Sequence, residues 1–380
     1  MKDVLENSNN CTGCSACLNI CPKNAIKMFK NSEGFAYPKI DESLCIKCGK
    51  CKKVCPCLLH EEMSLIQHFY ATWTKNENVR KKSSSGGIFY EIAKYVLENN
   101  GVVYGAAFDG NFNLKHVSIN KSDDVSKLMG SKYLQSDLGN IFKDVKTNID
   151  KDLKVLFVGT PCQVAGLKKY INKECCNLIT CDLICHGVPS PLVFKNYLDS
   201  FKTKKIEKIN FRDKSTGWNN FSFTIDFSKN TLKESHNDNL FMKGFLHNIY
   251  LRNSCYNCKF ANLNRLSDIT LGDFWNCKEI LQLPDDDKGV SLIITNTSKG
   301  QKLLEKISDN LFIKEVSKDE ALKTNLCLTK GVDFNKYRND FFANYSLEKS
   351  DLKFIVKYTN ASLFKKIKGK IKLIMRKVIK

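Results

Sequence analysis

Short apolar runs alternate with helical periodicities through most of this chain. Runs of strand length cover residues 101–108, 154–158 and 178–184, and a helix ending near residue 170 separates the last two. A further helix over residues 88–98 carries apolar residues on one side, namely Ile88, Ile92, Tyr95 and Val96. Strands that alternate with helices in this way predict a mixed α/β sheet, which begins near residue 69.

Other segments follow different patterns. Residues 205–227 predict antiparallel strands, because apolar and polar positions alternate strictly at Phe221, Phe223, Ile225 and Phe227. The pattern also predicts strand and turn over residues 265–275, and a helix over 298–308. From about residue 351 it predicts a basic helix.

The first 57 residues contain an internal repeat. Four cysteines in C-x2-C-x2-C-x3-C spacing recur 34 residues later, and a proline follows each set: Cys11, Cys14, Cys17, Cys21 and Pro22, then Cys45, Cys48, Cys51, Cys55 and Pro56. Between the two sets, residues 26–29 and 35–38 flank a short polar turn and predict a β-hairpin.

This spacing is typical of two 4Fe–4S clusters. Thiolates are the soft ligands that such clusters need, and in two-cluster ferredoxins the fourth cysteine of each run serves the other cluster. We therefore predict one cluster on Cys11, Cys14, Cys17 and Cys55, and a second on Cys45, Cys48, Cys51 and Cys21. Two structural zinc sites are the alternative, although zinc sites rarely use eight cysteines with this period. Cys57 lies outside the pattern and is expected to be a bystander.

Composition supports metal ligation in a reducing compartment. The chain has 18 cysteines, many in C-x2-C spacing, and no export signal is evident at its start. No apolar run approaches the 18 residues of a membrane-spanning helix. We therefore expect a cytoplasmic protein. The net charge of +20 could suit nucleic acid, but no recognition motif accompanies it, so no nucleic acid is predicted.

Three loops of the larger part of the chain could hold a ligand. Residues 83–87 precede a helix, where free N–H groups suit a phosphate. A polar helix cap without a ligand would show the same sequence pattern. Residues 130–136 combine a cation, hydroxyls and an amide, or form a plain solvated loop. Residues 159–163 lie where a strand meets a helix, a common ligand position in α/β proteins, or form a structural turn.

Four further motifs follow in order: Cys185-His186-Gly187-Val188-Pro189-Ser190-Pro191, Arg212-Asp213-Lys214, Cys255-Tyr256-Asn257-Cys258, and the run from Ser267 to Trp275. With the three loops, they resemble the beta subunit family of coenzyme F420 hydrogenases and dehydrogenases over roughly residues 70–330. The resemblance implies an FAD-binding α/β domain that passes electrons between iron–sulfur clusters and a hydride donor or acceptor. In archaeal members that partner is F420, but family membership does not fix the substrate.

The resemblance also implies which residues hold cofactors. The FAD contacts would be Ser84, Ser85, Gly86, Gly87, Lys132, Tyr133, Gln135, Ser136, Thr160, Pro161 and Gln163. Family members carry a cluster near the flavin, which points to a third 4Fe–4S cluster on Cys162, Cys185, Cys255 and Cys258. Some of these four could instead be buried thiols. In that case Cys181 and Cys277 would replace them, whereas the adjacent Cys175 and Cys176 are not expected to be ligands.

Four polar residues allow two interpretations each. No residue is identified by the sequence as an acid–base catalyst. His186 could act on a substrate or flavin, or be structural beside a cluster. Arg212 and Lys214 could hold an acidic substrate or the FAD pyrophosphate, or form ordinary ion pairs. Asp273 could contact the flavin or serve a turn.

The last residues predict a cationic amphipathic helix, with apolar positions at Phe364, Ile367, Ile371, Ile374 and Val378. It could lie on the cytoplasmic face of a membrane, dock on a partner, or cover part of the core. The predicted organisation is a ferredoxin domain over residues 1–60, a flavin and iron–sulfur domain over 61–345, and this tail over 346–380. The middle domain would divide near residues 150 and 151, into parts of about 70–150 and 151–330. Residues 58–68 are typical of a linker or short helix.

The predicted fold is thus an α+β ferredoxin-like module followed by a larger mixed α/β flavin-binding domain. The predicted function is a flavin-dependent iron–sulfur oxidoreductase that exchanges hydride with a small molecule, since a flavin converts between one- and two-electron steps. Its protein partner would be a soluble redox protein or an oxidoreductase subunit. The alternatives are an electron-transfer adaptor without a substrate and, more distantly, a cluster-based redox sensor or nucleic-acid binder.

Overall fold

The computed structural model describes residues 2–5, 7–58, 67–282, 286–345 and 353–359. Its strands are β1 Lys2–Asp3, β2 Ile26–Lys30, β3 Ala36–Ile40, β4 His68–Thr74, β5 Val102–Phe108, β6 Leu114–Ile119, β7 Val155–Gly159, β8 Leu178–Leu183, β9 Ile206–Asp213, β10 Ser222–Phe227, β11 Thr231–Ser235, β12 Ile269–Asp273, β13 Ser291–Thr295 and β14 Leu311–Val316. Its α-helices are α1 Ala16–Ile20, α2 Lys50–Lys53, α3 Glu77–Lys82, α4 Ile88–Glu98, α5 Val125–Leu128, α6 Ile141–Asp150, α7 Pro161–Ile171, α8 Pro191–Asp199, α9 Leu240–Leu246, α10 Asn253–Tyr256, α11 Cys277–Leu281, α12 Ser298–Ile307, α13 Lys318–Thr324, α14 Arg338–Asn344 and α15 Lys353–Thr359.

Residues 2–58 form the N-terminal module. The predicted hairpin is present as β2 and β3, which pair antiparallel with Phe29 opposite Tyr37, and β1 adds a third strand beside β3. The turn forms because the Asn31 side chain accepts hydrogen bonds from two backbone N–H groups and Gly34 takes a φ of +86°.

The sequence repeat of the module is also a repeat of backbone conformation. Gly13 and Lys47 occupy equivalent positions and are both left-handed, with φ of 72° and 55°. The backbone N–H of each donates to the thiol two residues earlier, Cys11 and Cys45, at 3.4 Å. The two halves therefore wrap their cysteines in the same way.

The larger domain, residues 67–282 and 286–345, is built on a mixed sheet. Among the described residues its strand order is β14-β4-β13-β12-β8-β7-β5-β6. The four strands β12, β8, β7 and β5 run parallel to one another, and the others pair antiparallel. The predicted strands 101–108, 154–158 and 178–184 correspond to β5, β7 and β8, and the predicted helix 88–98 is α4.

The central strands are apolar because both faces of the sheet are covered. Val155, Leu156 and Phe157 of β7 are fully buried. Leu156 belongs to the core beneath α4 and α12, whereas Val155 and Phe157 belong to the core shared with α6, α7 and the N-terminal module. The module thus packs on one face of the larger sheet.

A second small sheet, of order β11-β10-β9, carries an aromatic core. Phe223, Ile225 and Phe227 point to one side of β10, as predicted, and are buried with Phe211 and Phe241. Helix α15 packs on the same core through Ile355 and Tyr358. The start of the predicted basic helix therefore contributes to the fold.

Two predicted segments fall largely outside the described residues. These are most of the linker at 58–68 and the amphipathic stretch from Phe364 to Val378. Within the part of the chain that the structure describes, we find no helix with the length and apolarity required to cross a bilayer.

Buried arginines and a glycine dock the module on the larger domain. Arg338 is 2% exposed and holds Glu33 of the hairpin turn through two hydrogen bonds of 3.0 and 2.6 Å. Arg252 donates to the carbonyls of Cys11 and Ala36 at 2.7 and 3.0 Å. Gly166 of α7 lies so close to Cys14 that a Cβ atom there would come within 3.0 Å of the thiol.

Arg338→Met should destabilise the protein by about 3–5 kcal/mol, because it leaves the Glu33 carboxylate largely buried without its partner. Anaerobic urea unfolding measures this loss. Lys39→Met is the matched control, because it breaks the exposed Lys39–Asp3 pair in the same module and should cost less than about 1 kcal/mol. Equal losses in the two variants would show that the Glu33 pair does not hold the module.

Candidate active site

The structure gathers the eight repeat cysteines around two cavities. The inner cavity is lined by Cys11, Cys14, Cys17 and Cys55, and the outer cavity by Cys21, Cys45, Cys48 and Cys51. These are the two sets predicted from the spacing, including the exchange of the fourth cysteine between the halves. The inner set lies in buried surroundings, whereas Cys48 of the outer set is exposed.

The thiols are spread around these cavities. Among the described residues, no group of three His, Cys, Asp or Glu side chains stands close enough together to hold a single metal ion. A 4Fe–4S cluster takes one cysteine thiolate on each iron, so its four ligands surround a cube rather than a point. The chemistry and placement of the donors fit such a cluster in both cavities.

Cys57 lines the inner cavity as well, although it was expected to be a bystander. Its thiol is buried 3.9 Å from the Thr12 hydroxyl, and Lys259 of the larger domain donates to its carbonyl at 2.9 Å. The sequence pattern did not predict a role for Cys57 at this cavity, because the residue follows the end of the repeat.

A third set of cysteines lines the domain cavity, which lies between the module and the larger domain. Cys162, Cys185, Cys255 and Cys258 all face it, as the family resemblance implied, and Cys327 joins them. Cys327 was not foreseen. The two expected replacements lie elsewhere: Cys181 is buried in the core under α4, and Cys277 is buried in the core beside β13.

Arg265 gives the domain cavity an unusual positive charge. The side chain is 1% exposed and lines the cavity. Its nearest ionic partner is Asp182, at 3.6 Å, and its three guanidinium nitrogens have no hydrogen-bond partner within the described residues. A buried cation without hydrogen bonds is costly, so this position suits an anionic group such as a thiolate-ligated cluster.

A large cavity of about 690 Å³ opens at the carboxyl ends of the parallel strands. Gly159 ends β7, Leu183 ends β8 and Asp273 ends β12, and all three line it. Open α/β sheets bind ligands at this edge, and the volume is in the range of small-molecule and cofactor sites.

Most residues that the resemblance assigned to FAD line this large cavity: Ser84, Ser85, Gly87, Lys132, Tyr133, Ser136, Thr160 and Gln163. Three do not. Pro161 and Gln135 line the domain cavity, and the Gln135 side chain bonds Thr12 O and Arg252 across the module interface. Gly86 is buried against β4 and donates its N–H to Ser291 at 2.9 Å.

The cations of the large cavity mainly hold its loops. Lys132 donates to the carbonyls of Leu128, Met129 and Gly130, and burial lowers its pKa to about 7. Lys214 lies outside the lining of this cavity but likewise donates to three backbone carbonyls, including that of the lining residue Ser85. Their ammonium donors are therefore already engaged.

Donors at the start of α4 remain available instead. Gly87 precedes the helix with a φ of +91°, and no side chain caps it. Gly87, Ile88 and Phe89 line the large cavity, so the N-terminus of this helix opens on it. The Ser84 hydroxyl accepts the Ser131 N–H at 2.6 Å and ties this loop to the next one. A helix N-terminus of this kind suits a phosphate.

A polar network forms the wall between the large and domain cavities. Ser136 and Gln163 line both cavities, and the Gln163 amide donates to the Ser136 hydroxyl at 3.0 Å. His116 contacts the same hydroxyl at 2.8 Å and the Val158 carbonyl at 2.9 Å. Burial lowers the pKa of His116 to about 4, so the ring is neutral at physiological pH. His116 stands alone in the sequence, and no motif could have identified it.

Opposite this wall, Arg212 and Asp273 pair with each other at 2.6 Å. The guanidinium lies over the rings of Phe221 and Trp275, and Trp218 donates to the same carboxylate at 3.2 Å. Among the described residues, Nε and Nη2 of Arg212 have no hydrogen-bond partner. His186 also lines both cavities, and its ring contacts Asn248 Oδ1 at 2.7 Å.

Family models match most of the chain. Residues 10–58 match the 4Fe–4S dicluster domain. Residues 69–143 match the N-terminal model of the coenzyme F420 hydrogenase/dehydrogenase beta subunit, and residues 152–321 match its C-terminal model.

Two curated proteins of Methanocaldococcus jannaschii are similar. The coenzyme F420-dependent sulfite reductase is 32% identical over 170 residues, which are 43% of this chain and 26% of that protein. An uncharacterised protein is 26% identical over 208 residues, which are 46% of this chain and 56% of that protein. The chain thus spans only part of the length of either relative.

Among solved structures, a chain of the F420-reducing nickel–iron hydrogenase complex from Methanosarcina barkeri is similar. It shares 17% identity with a TM-score of 0.48, over 71% of this chain and 92% of that one. The two beta subunit models together match residues 69–143 and 152–321, and the motifs they contain line the cavities described above. The chain belongs to the coenzyme F420 hydrogenase/dehydrogenase beta subunit family and carries a 4Fe–4S dicluster domain ahead of the family's two conserved parts.

Proposed function

We propose that this chain is an iron–sulfur flavoprotein oxidoreductase. Two 4Fe–4S clusters would occupy the inner and outer cavities, a third the domain cavity, and FAD the large cavity. The flavin would exchange hydride with a small molecule, and a soluble redox protein or oxidoreductase subunit would exchange electrons with the N-terminal module.

The continuity of the cavities carries this proposal. Thr12 of the module lies between Cys11 and the domain cavity and lines both the inner cavity and the domain cavity. Ser136, Gln163 and Cys185 line both the domain cavity and the large cavity. The cysteine sets and the ligand cavity therefore form one series, in the order that stepwise electron transfer requires.

The donors of the large cavity fit FAD. The uncapped start of α4 would receive the pyrophosphate, and Lys132 in its protonated form would favour it electrostatically while it holds the loop at residues 128–130. The strand ends and Tyr133 supply apolar and aromatic surface for a ring system. When bound, a flavin supplies the conversion between one-electron and hydride chemistry.

Residues of the chain would position and insulate this chemistry. Neutral His116 fixes the Ser136 hydroxyl and adds no charge to the wall between the two cavities. Arg212, with Nε and Nη2 unpartnered, places a cation at the side of the large cavity where a substrate carboxylate or phosphate could lie. We propose an anionic hydride carrier as substrate, F420-like or other, because the related sulfite reductase is named as F420-dependent.

Anaerobically reconstituted protein should bind FAD, and Lys132→Gln should weaken that binding at least tenfold, because it removes the three hydrogen bonds by which Lys132 holds the loop at residues 128–130. Quenching of flavin fluorescence measures the affinity. Lys127→Gln is the matched control, since Lys127 is exposed, pairs with Asp124 and should leave the affinity unchanged.

Protein that holds iron and sulfide but no flavin would contradict this function. It would favour the alternative, an electron-transfer adaptor without a substrate. A small-molecule hydride donor that bleaches the bound flavin without any protein partner would exclude the adaptor.

Cys258→Ser should lower the iron content by about four atoms per chain, which is one 4Fe–4S cluster. It should leave FAD bound but slow reduction of the flavin by electrons entering at the module. The control is Cys176→Ser, which changes an exposed cysteine outside the three cysteine-lined cavities and should keep all the iron. Unchanged iron in Cys258→Ser would show that Cys258 is not required to hold a cluster in the domain cavity.

A further inference from the structure

The two halves of the N-terminal module have opposite surroundings. All residues from Cys11 to Cys17 are buried, and this stretch lies against the larger domain. The equivalent stretch 34 residues later, from Cys45 to Cys51, is exposed apart from the half-buried Cys45 and Cys51. The two halves repeat one backbone conformation. The side of the first half that lies against the larger domain therefore indicates which side of the second half could lie against an electron-transfer partner.

Four positions on that side differ in charge between the halves. The docked half has Gly13, Ala16, Leu18 and Asn19, and the free half has Lys47, Lys50, Lys52 and Lys53. No Asp or Glu occurs in residues 43–58, and the nearest acids before them are Asp41 and Glu42. Every one of these four lysines is exposed.

Packing explains why the docked half cannot carry these lysines. A Cβ atom on Gly13 would lie 2.6 Å from the Gln135 amide, and Asn19 is 3% exposed and bonds the Gly139 carbonyl at 2.9 Å. At Gly49 of the free half, a Cβ would meet no atom within 4 Å. The free half therefore has room for charged side chains and for a partner.

Exposed apolar side chains adjoin the lysines in the sequence. Ile46 and Leu44 are 57% and 49% exposed, although large apolar side chains are usually buried. Ile46 sits between Cys45 and Lys47, directly beside the outer cavity, which it also lines. Exposed apolar residues next to charged ones, at the edge of a redox site, are typical of a small transient interface.

We propose that this lysine face, formed by Leu44, Ile46, Lys47, Lys50, Lys52 and Lys53, docks an acidic one-electron carrier protein. The inference rests on the proposed function, because it needs the cluster held by Cys21, Cys45, Cys48 and Cys51. One electron passes per encounter, so that the carrier is oxidised by one equivalent as the cluster is reduced, or the reverse. No covalent bond forms or breaks in this step.

Stopped-flow mixing with a dithionite-reduced, acidic [2Fe–2S] ferredoxin tests the proposal. Combining Lys47→Glu, Lys50→Glu and Lys53→Glu should lower the second-order rate constant at least tenfold at low salt. The rate of the wild type should fall as salt rises, whereas that of the triple variant should fall less steeply, because fewer positive charges at the contact are left for salt to screen.

The matched control combines Lys302→Glu, Lys306→Glu and Lys318→Glu, three exposed lysines of the larger domain, and makes the same change in net charge. Its rate should stay within about twofold of the wild type. Equal slowing of both variants would overturn the lysine face and leave only a general attraction by net charge. No slowing of the first variant would overturn the lysine face as well, because the lysines would then contribute nothing to the encounter.

Two further measurements separate this outcome from failure of the proposed function. Iron content and reduction by an electrically neutral, zwitterionic viologen should be unchanged in the triple variant. If the wild type itself lacks iron at this site or is not reduced by the viologen, the proposed function fails. If both are normal and only the ferredoxin rate is insensitive to the lysines, the docking proposal alone fails.

Discussion

The docking of the first cysteine half on the larger domain is the constraint on which the rest of the structure depends. Electron transfer slows steeply with distance, so the inner cavity must lie close to the domain cavity. Arg252 secures this approach by binding the Cys11 carbonyl and the Gln135 amide together, and it is fully buried. A buried arginine that is hydrogen-bonded across an interface is costly to disturb, because movement would leave a buried charge without hydrogen-bond partners.

The docking of the module depends on contacts between distant segments, whereas the features that could be predicted from the sequence are local. The hairpin and the alternation of strands with helices are local patterns, and the structure confirms them. The cysteine spacing is also local, and the cysteines of each predicted set line one cavity. The convergence of Cys162, Cys185, Cys255 and Cys258 on one cavity is not local and came only from a family resemblance. Cys327 and Arg265 reach the same cavity from distant segments without any spacing signal, which is why neither was foreseen and why Cys181 and Cys277 were named as the replacement ligands.

The ligand loops show a second limit of sequence reasoning. A lysine among serines and glycines predicts a phosphate contact, but Lys132 and Lys214 donate to backbone carbonyls of neighbouring loops. The amide donors that face the large cavity belong to the start of α4, where Gly87 leaves the helix uncapped. Which donors remain free depends on tertiary contacts, so the residue types alone could not distinguish loop support from ligand binding.

Helix α7 has a mechanical consequence. Its first turn carries Cys162 at the domain cavity, and Gly166, one turn later, packs against Cys14 at the inner cavity. Four residues of helix span about 6 Å, so one helical turn together with the close contact between Gly166 and Cys14 sets the gap between the two cysteine sets. A side chain at position 166 would push the module away and widen this gap, so the spacing of the two sites depends on the absence of a single Cβ atom.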